Sequence, residues 1–243
     1  MMNLAIDVGN TCTKLVAFSG KEPVEEVRTA DGDANRLREF CDKYSFDCGI
    51  YSTVVRLPAQ MRGAIGDLPF PVMQLIPGET AIPIVNCYTT PHTLGADRLA
   101  AAIGAYCRHP GREVLVIDIG TCITYDFVSD LGEYMGGNIS PGPTMRFKAL
   151  NAYTDSLPLV ERDGRTPALG DSTATAIRSG VMIGIKREIE GYISDYLERF
   201  PRLLVYITGG NHLDLHIAEK MRTFADDFIV PEGLNRTLIY NME

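Results

Sequence analysis

Two stretches of this chain place the same reactive groups at nearly the same spacing: LAIDVGNTCTK, residues 4–14, and LVIDIGTCITYDF, residues 115–127. In each, an apolar run ends at an aspartate, a glycine follows, and a threonine lies just beyond. Glycine permits close backbone approach or positive φ. In Asp7-Val8-Gly9-Asn10-Thr11 the Asn and Thr add short donors and acceptors, and such a hairpin can aim N–H groups and a hydroxyl at phosphate oxygens. Asp7, at the end of an apolar strand, suits Mg²⁺, held directly or through water. Lys14 on the following strand is placed to reach a phosphate. One such turn reads equally well as a hairpin whose Asp and Asn satisfy their own backbone. Neither G-x-x-x-x-G-K-[ST] nor G-x-G-x-x-G occurs.

The second copy changes that balance. Asp118-Ile119-Gly120-Thr121, with Thr124, repeats the chemistry, and two such hairpins could clamp a polyphosphate. Gly209-Gly210-Asn211 supplies a third close-approach point between a strand and a helix. Three glycine turns at strand ends favour a nucleotide. His92, His109, His212 and His216 lack metal spacing except for the i, i+4 pair His212/His216, which reads as a solvated helix face.

The elements that position these turns form two series. Residues 3–8, 13–18 and 24–29 read as a β-meander, followed by a helix over 33–44 with Asp31 or Asp33 as its cap. A buried strand at 48–55, a short helix at 58–65 and a strand at 72–76 come next. The Pro- and Gly-rich stretch 77–95 reads as loop, and a helix spans 97–107. The pattern then restarts with strands at 114–117, 123–128 and 134–139 and a helix over 141–150, with Pro143 near its first turn. A long helix over 172–199 is expected to be interrupted or bent near Gly180 and Gly184. A strand at 203–207, a helix at 212–224 and a short strand at 228–230 complete the chain. The segment 159–170 reads as a mobile charged loop. A repeat on this scale implies two similar α/β lobes, divided near Gly111.

Composition narrows the class. Apolar residues make up 45% and charged residues 22% of the 243, as in soluble globular proteins. A net charge of −8 argues against a surface that binds nucleic acid through its phosphates. No apolar run is long enough to span a membrane, and no secretory leader is expected. The six cysteines form no C-x-x-C pair, so they read as reduced thiols. Cys12 and Cys122, in the echoed turns, read as small buried fillers.

Taken in order, DVGNTCTK, GADR at 95–98, DIGTCITYD, GGNISPG at 136–142, DSLP at 155–158 and ITGGN at 207–211 resemble the type III pantothenate kinases. These belong to the actin-like superfamily of acetate and sugar kinases. The resemblance implies an α/β fold of two similar actin-like (ribonuclease H-like) lobes, 1–111 and 112–243. Each lobe would be a mixed five-stranded sheet with helices, with a nucleotide cleft between them. It implies ATP-dependent phosphorylation of pantothenate to 4'-phosphopantothenate, the first step of coenzyme A biosynthesis. It also implies a homodimer and a monovalent cation (K⁺ or NH4⁺), with Mg²⁺ accompanying ATP; charge, hydropathy and cysteine usage read as a cytoplasmic protein with no nucleic-acid or membrane partner.

By the same resemblance, Asp7, Val8, Gly9, Asn10, Thr11, Cys12, Thr13 and Lys14 form the first phosphate turn. Thr121, Gly209 and Gly210 complete the ATP site. Tyr88, Gly95, Ala96, Asp97 and Arg98 bind pantothenate, and Thr173 adds a contact near the dimer interface. Asp97 is the catalytic base and Asp118 the monovalent-cation ligand. The residue chemistry is compatible with this. A primary alcohol needs a carboxylate to accept its proton, and Asp97 opens a helix whose dipole favours the anion; it reads equally as a helix cap. Arg98 is a fork suited to a carboxylate, or a solvated helix arginine. Asp118 alone could take Mg²⁺ as well as K⁺. The 136–142 segment either shapes the cleft floor or is a packing turn. A kinase for another small alcohol, and a non-catalytic ATP-binding transcriptional accessory protein, are the alternatives on this scaffold.

Overall fold

The computed structural model describes residues 1–30, 32–210, 223–226 and 228–243. Two compact units organise it. One comprises Met1–Val114, Asp126–Gly136 and Asp226–Glu243; the other comprises Leu115–Tyr125 and Gly137–Ala225.

In the first unit, β1 (Met2–Val8), β2 (Cys12–Ser19) and β3 (Glu22–Ala30) form the expected antiparallel meander. Strands β4 (Cys48–Thr53) and β5 (Val72–Gln74) extend it in parallel, giving the order β3-β2-β1-β4-β5. The apolar residues of β1 lie in succession because both faces of the sheet are covered. On one face, α1 (Ala34–Cys41) and α2 (Ala59–Gly66) bring Leu37, Phe40 and Met61 onto Leu4, Ile6, Val8 and Leu15. Asp33 caps α1, its Oδ1 accepting the Asn35 and Arg36 N–H groups at 3.1 and 3.2 Å; Asp31 lies outside the described residues. On the other face, α3 (Ala96–Arg108) crosses α6 (Ile229–Tyr240), and α6 packs on β1 and β4. The crossing is close because it is made at glycines: a Cβ on Gly104 would collide with the Ile229 carbonyl, and one on Gly233 with that of Ala100. Asn3 and Asn235 join α6 to the sheet through a buried 2.8 Å hydrogen bond.

A second sheet contains β7 (Val114–Ile119), β8 (Cys122–Val128), β9 (Glu133–Pro141), β10 (Leu204–Thr208) and β11 (Thr223–Ala225). Its order is β11-β10-β7-β8-β9-β6, six strands where five were expected. The addition is β6 (Val85–Asn86), inside the stretch read as loop; it pairs in parallel with Glu133 and Tyr134 of β9.

In the second unit α4 (Pro143–Ala152) packs on α5 (Thr173–Arg199). Helix α5 is one continuous 27-residue helix, uninterrupted at Gly180 or Gly184. Ile177, Val181, Ile185, Ile189 and Ile193 recur every fourth residue on its buried side. That stripe, together with the Ser172/Thr175 capping box, outweighs about 1 kcal/mol per glycine. The 159–170 loop, expected to be mobile, is tied to α5: Arg178 Nε donates to Glu161 O at 3.0 Å and Ser179 Oγ to Pro167 O at 2.7 Å.

Two further expectations are corrected. Residues 228–230 begin helix α6 and are not a strand; a short apolar run does not distinguish the two, and Leu234 and Leu238 continue it at helical spacing. Of the helix expected at 212–224, residues 212–222 lie outside the described residues, and 223 and 224 belong to strand β11. The pair His212/His216 falls in that stretch, and Asn211 just before it also lies outside the described residues.

Candidate active site

The echoed sequences fold as echoed hairpins. The Gly9 N–H donates to Cys12 O at 3.1 Å, and the Gly120 N–H to Cys122 O at 2.9 Å. Burial follows the same order along β1–β2 and β7–β8, with each aspartate part-exposed between buried apolar neighbours. Within the first turn the residues divide. Val8 and Thr13 are fully buried and shape the hairpin from within, whereas Asn10 and Thr11 are exposed at its tip. Cys12 and Cys122 are half-buried, so neither is the buried filler expected: a turn residue has only one packed side.

Asp7 stands opposite Lys14 on β2 and Ser52 on β4, and its Oδ1 accepts the Ser52 hydroxyl at 2.9 Å. Burial raises its pKa, opposed by the Lys14 charge and the Ser52 hydrogen bond.

Helix α3 sets the next group. Gly95 is its N-cap residue, and a Cβ there would come within 2.6 Å of Asp97 Oδ1, so glycine makes room for the carboxylate. Asp97 is not the cap; its Oδ1 accepts the Arg98 N–H at 2.7 Å. The helix start was expected to favour the anion. Burial, followed by the Asp7 charge, outweighs that backbone hydrogen bond and pushes the Asp97 pKa up to about 6, with Asp126 adding to the rise.

Arg98, expected at a substrate carboxylate, meets a carboxylate of the chain. Its Nε and Nη2 donate to Asp126 Oδ1 at 2.9 and 2.7 Å, and the pair is almost wholly buried. Burial opposes the Arg98 charge, but Asp126 outweighs it and raises the guanidinium pKa. Removing one partner of such a pair costs about 3–5 kcal/mol because a bare charge is left inside. Tyr134 Oη also donates to Asp126 Oδ1, at 2.7 Å. The Tyr88 ring lies 6.0 Å from the Arg98 guanidinium carbon and 6.1 Å from the Tyr134 ring. Gly136, at φ +106°, backs Tyr88, where a Cβ would press on the ring.

In the second unit, Asp118, Gly120 and Gly209 come together. Gly209 has φ +99°, and a Cβ on it would lie 2.6 Å from Asp118 Oδ1 and the Ile119 backbone. Gly142 packs on the second turn, its N–H donating to Thr121 O at 3.0 Å. Glu188 of α5 holds the segment that carries Gly142. It accepts Tyr125 Oη at 2.9 Å, Ser140 Oγ at 2.5 Å and Arg146 Nη2 at 2.6 Å, while Arg146 Nε donates to Pro141 O at 2.7 Å. Burial alone would raise the Glu188 pKa, but these hydrogen bonds outweigh it and lower it. Thr173 is exposed in the first turn of α5, and Gly210 is exposed beside Gly209.

Sequence reasoning missed Ser52, Asp126, Tyr134 and Glu188. Asp126 carried a signal: it is a charge in the middle of an otherwise apolar run, Tyr125 to Val128. Glu188 and Ser52 carried none, because a helix glutamate and a strand serine are ordinary on a surface.

The family model for type III pantothenate kinase matches residues 3–195. The chain belongs to the type III pantothenate kinase family. A type III pantothenate kinase of Bacteroides fragilis is 47% identical over 240 residues, covering 99% of this chain and 98% of that one. Type III pantothenate kinases phosphorylate pantothenate in coenzyme A biosynthesis. Among solved structures, a protein of Campylobacter jejuni named as a Baf family transcriptional activator has a TM-score of 0.58 at 19% identity, covering 98% of both chains. A ROK hexokinase of Thermus thermophilus has a TM-score of 0.50 at 13% identity, covering 100% of both. At these identities the structures speak for the fold alone: a mixed α/β, actin-like fold with two mixed sheets. A type III pantothenate kinase uses ATP and a divalent metal. Among the described residues no group of three or more His, Cys, Asp or Glu could hold a metal on its own. Mg²⁺ does not require such a group, because it is commonly held by one or two carboxylates with substrate phosphates supplying further ligands.

Proposed function

We propose that this chain transfers the γ-phosphoryl group of ATP to the primary alcohol of pantothenate, with Asp97 as the base. The observation that carries this reading is the Asp97 carboxylate at the start of α3. It is partly buried beside Asp7, its pKa is pushed up to about 6, and it is next to the buried Arg98. A carboxylate of that basicity is mostly ionised at neutral pH and accepts a proton more readily than a solvated one. As the alcohol oxygen forms its bond to the γ-phosphorus and the bond to the ADP oxygen breaks, the hydroxyl proton passes to Asp97.

The turns at Asp7–Thr11 and Asp118–Thr121, with Lys14, Gly209 and Gly210, bind the ATP. Glycine at these places permits the close approach of phosphate oxygens to backbone N–H groups. Asp7 holds Mg²⁺, which neutralises phosphate charge when bound. Asp118 holds a monovalent cation, and its carboxylate lies against the glycine backbones of Gly120 and Gly209. Tyr88, Gly95, Ala96 and Arg98 hold pantothenate, with Thr173 contributing in a homodimer.

The test is coupled ADP release with ATP, Mg²⁺ and K⁺, with and without pantothenate. Pantothenate-dependent release is expected, and its absence sinks the reading. Asp97→Asn is expected to lower kcat by ~10²–10⁴. A full-rate variant would favour another base, and intact function without turnover would favour the accessory-protein alternative. Replacing K⁺ with Na⁺ is expected to lower turnover.

A further inference from the structure

We propose that Asp126 is a positioning residue for the acceptor: it fixes the Arg98 guanidinium and, with Tyr134, the Tyr88 ring. This rests on the pantothenate-kinase reading above. Three donors converge on one oxygen, Asp126 Oδ1: Arg98 Nε at 2.9 Å, Arg98 Nη2 at 2.7 Å and Tyr134 Oη at 2.7 Å. The other oxygen, Oδ2, is buried and accepts no hydrogen bond from the described residues. An ion pair built for strength spreads the arginine fork over both carboxylate oxygens. Here one oxygen is crowded and the other is left without a donor, an arrangement that sets direction at some cost in stability.

Its consequence is orientational. The Arg98 guanidinium is fixed at two nitrogens, and the Tyr88 ring lies over it at 6.0 Å. Tyr88 also packs on Tyr134, at 6.1 Å, and is backed by Gly136. The ring of contacts Asp126–Arg98–Tyr88–Tyr134 thus joins β8, α3, the segment after β6, and β9. Arg98 directly follows Asp97 on α3, so the group that grips the acceptor and the group that takes its proton share one rigid turn. Asp126 acts through Arg98 and Tyr134, without touching the substrate.

The test is steady-state kinetics of Asp126→Ala, Asp126→Asn and Tyr134→Phe, with pantothenate and ATP varied separately. Asp126→Ala is expected to raise KM for pantothenate on the order of 10- to 100-fold, the scale of a misplaced binding group, and to leave KM for ATP unchanged. Asp126→Asn, which keeps an acceptor oxygen, is expected to recover part of that loss. Tyr134→Phe removes one donor and neither charge, so it keeps the fold testable; a smaller rise in the same constant is expected. The rise in KM for pantothenate from Asp126→Ala and Arg98→Lys together is expected to be smaller than the two single effects combined, because both act on the position of the side-chain cation at 98. Equal changes in both KM values, additive effects, or folded variants with wild-type constants overturn the assignment. Wild-type protein without pantothenate-dependent ADP release overturns the functional reading, and this inference with it. Wild-type turnover with unmoved variant constants overturns Asp126 alone.

Discussion

At the residue scale, chemistry depends on where charge is buried. Asp97 and Asp7 are both aspartates near element ends, but only Asp97 has two carboxylate neighbours, Asp7 and Asp126, adding to its desolvation. The base must be ionised to accept a proton. Its pKa of about 6 therefore predicts that kcat/KM is on its plateau above that pH and falls as the pH drops through about 6. A pH–rate profile checks this; an acidic limb near the ordinary aspartate range would mean that another group titrates. These contributions were not legible in the sequence. Asp97 was visible as a helix-opening carboxylate, but its neighbours come from positions 7 and 126, and no local pattern links them.

At the element scale, glycines decide how near two pieces of backbone come. Gly104 and Gly233 allow α3 and α6 to touch, and α3 begins with Asp97. Gly233→Ala is expected to destabilise the fold by roughly 1–3 kcal/mol through overpacking, read as a lower midpoint in urea. It should also lower turnover, since the start of α3 shifts with the helix. In the other unit, Glu188 fixes Ser140 and, through Arg146, Pro141, just ahead of the Gly142 that packs on Thr121. Glu188→Ala is expected to raise KM for ATP more than KM for pantothenate, as separate titrations of the two substrates would show. Helix α3 and the β1–β2 and β7–β8 hairpins were legible because their apolar runs and turn residues are local signals. Helix α6 was not, since its first residues read equally as strand until packing on α3 and β1 decides.

At the scale of the whole molecule, the homodimer is a prediction with a mass: light scattering should give twice the 26.7 kDa of one chain. A monomeric mass with full activity would remove the role proposed for Thr173 across an interface. No described helix is long and apolar enough to cross a membrane. What the sequence determined by itself was the repeat. Two apolar strands, each with a terminal aspartate and a glycine–threonine turn, announce two sheets and a phosphate chemistry, because turn type and strand burial are set within a few residues. What only the tertiary structure decided was the company each group keeps. The Arg98 fork closes on Asp126, Gly209 presses on Asp118 and Ile119, and Asp97 is desolvated beside Asp7. Burial and charge act through space, and the residues in these three contacts are up to 91 positions apart, as Asp118 and Gly209 are.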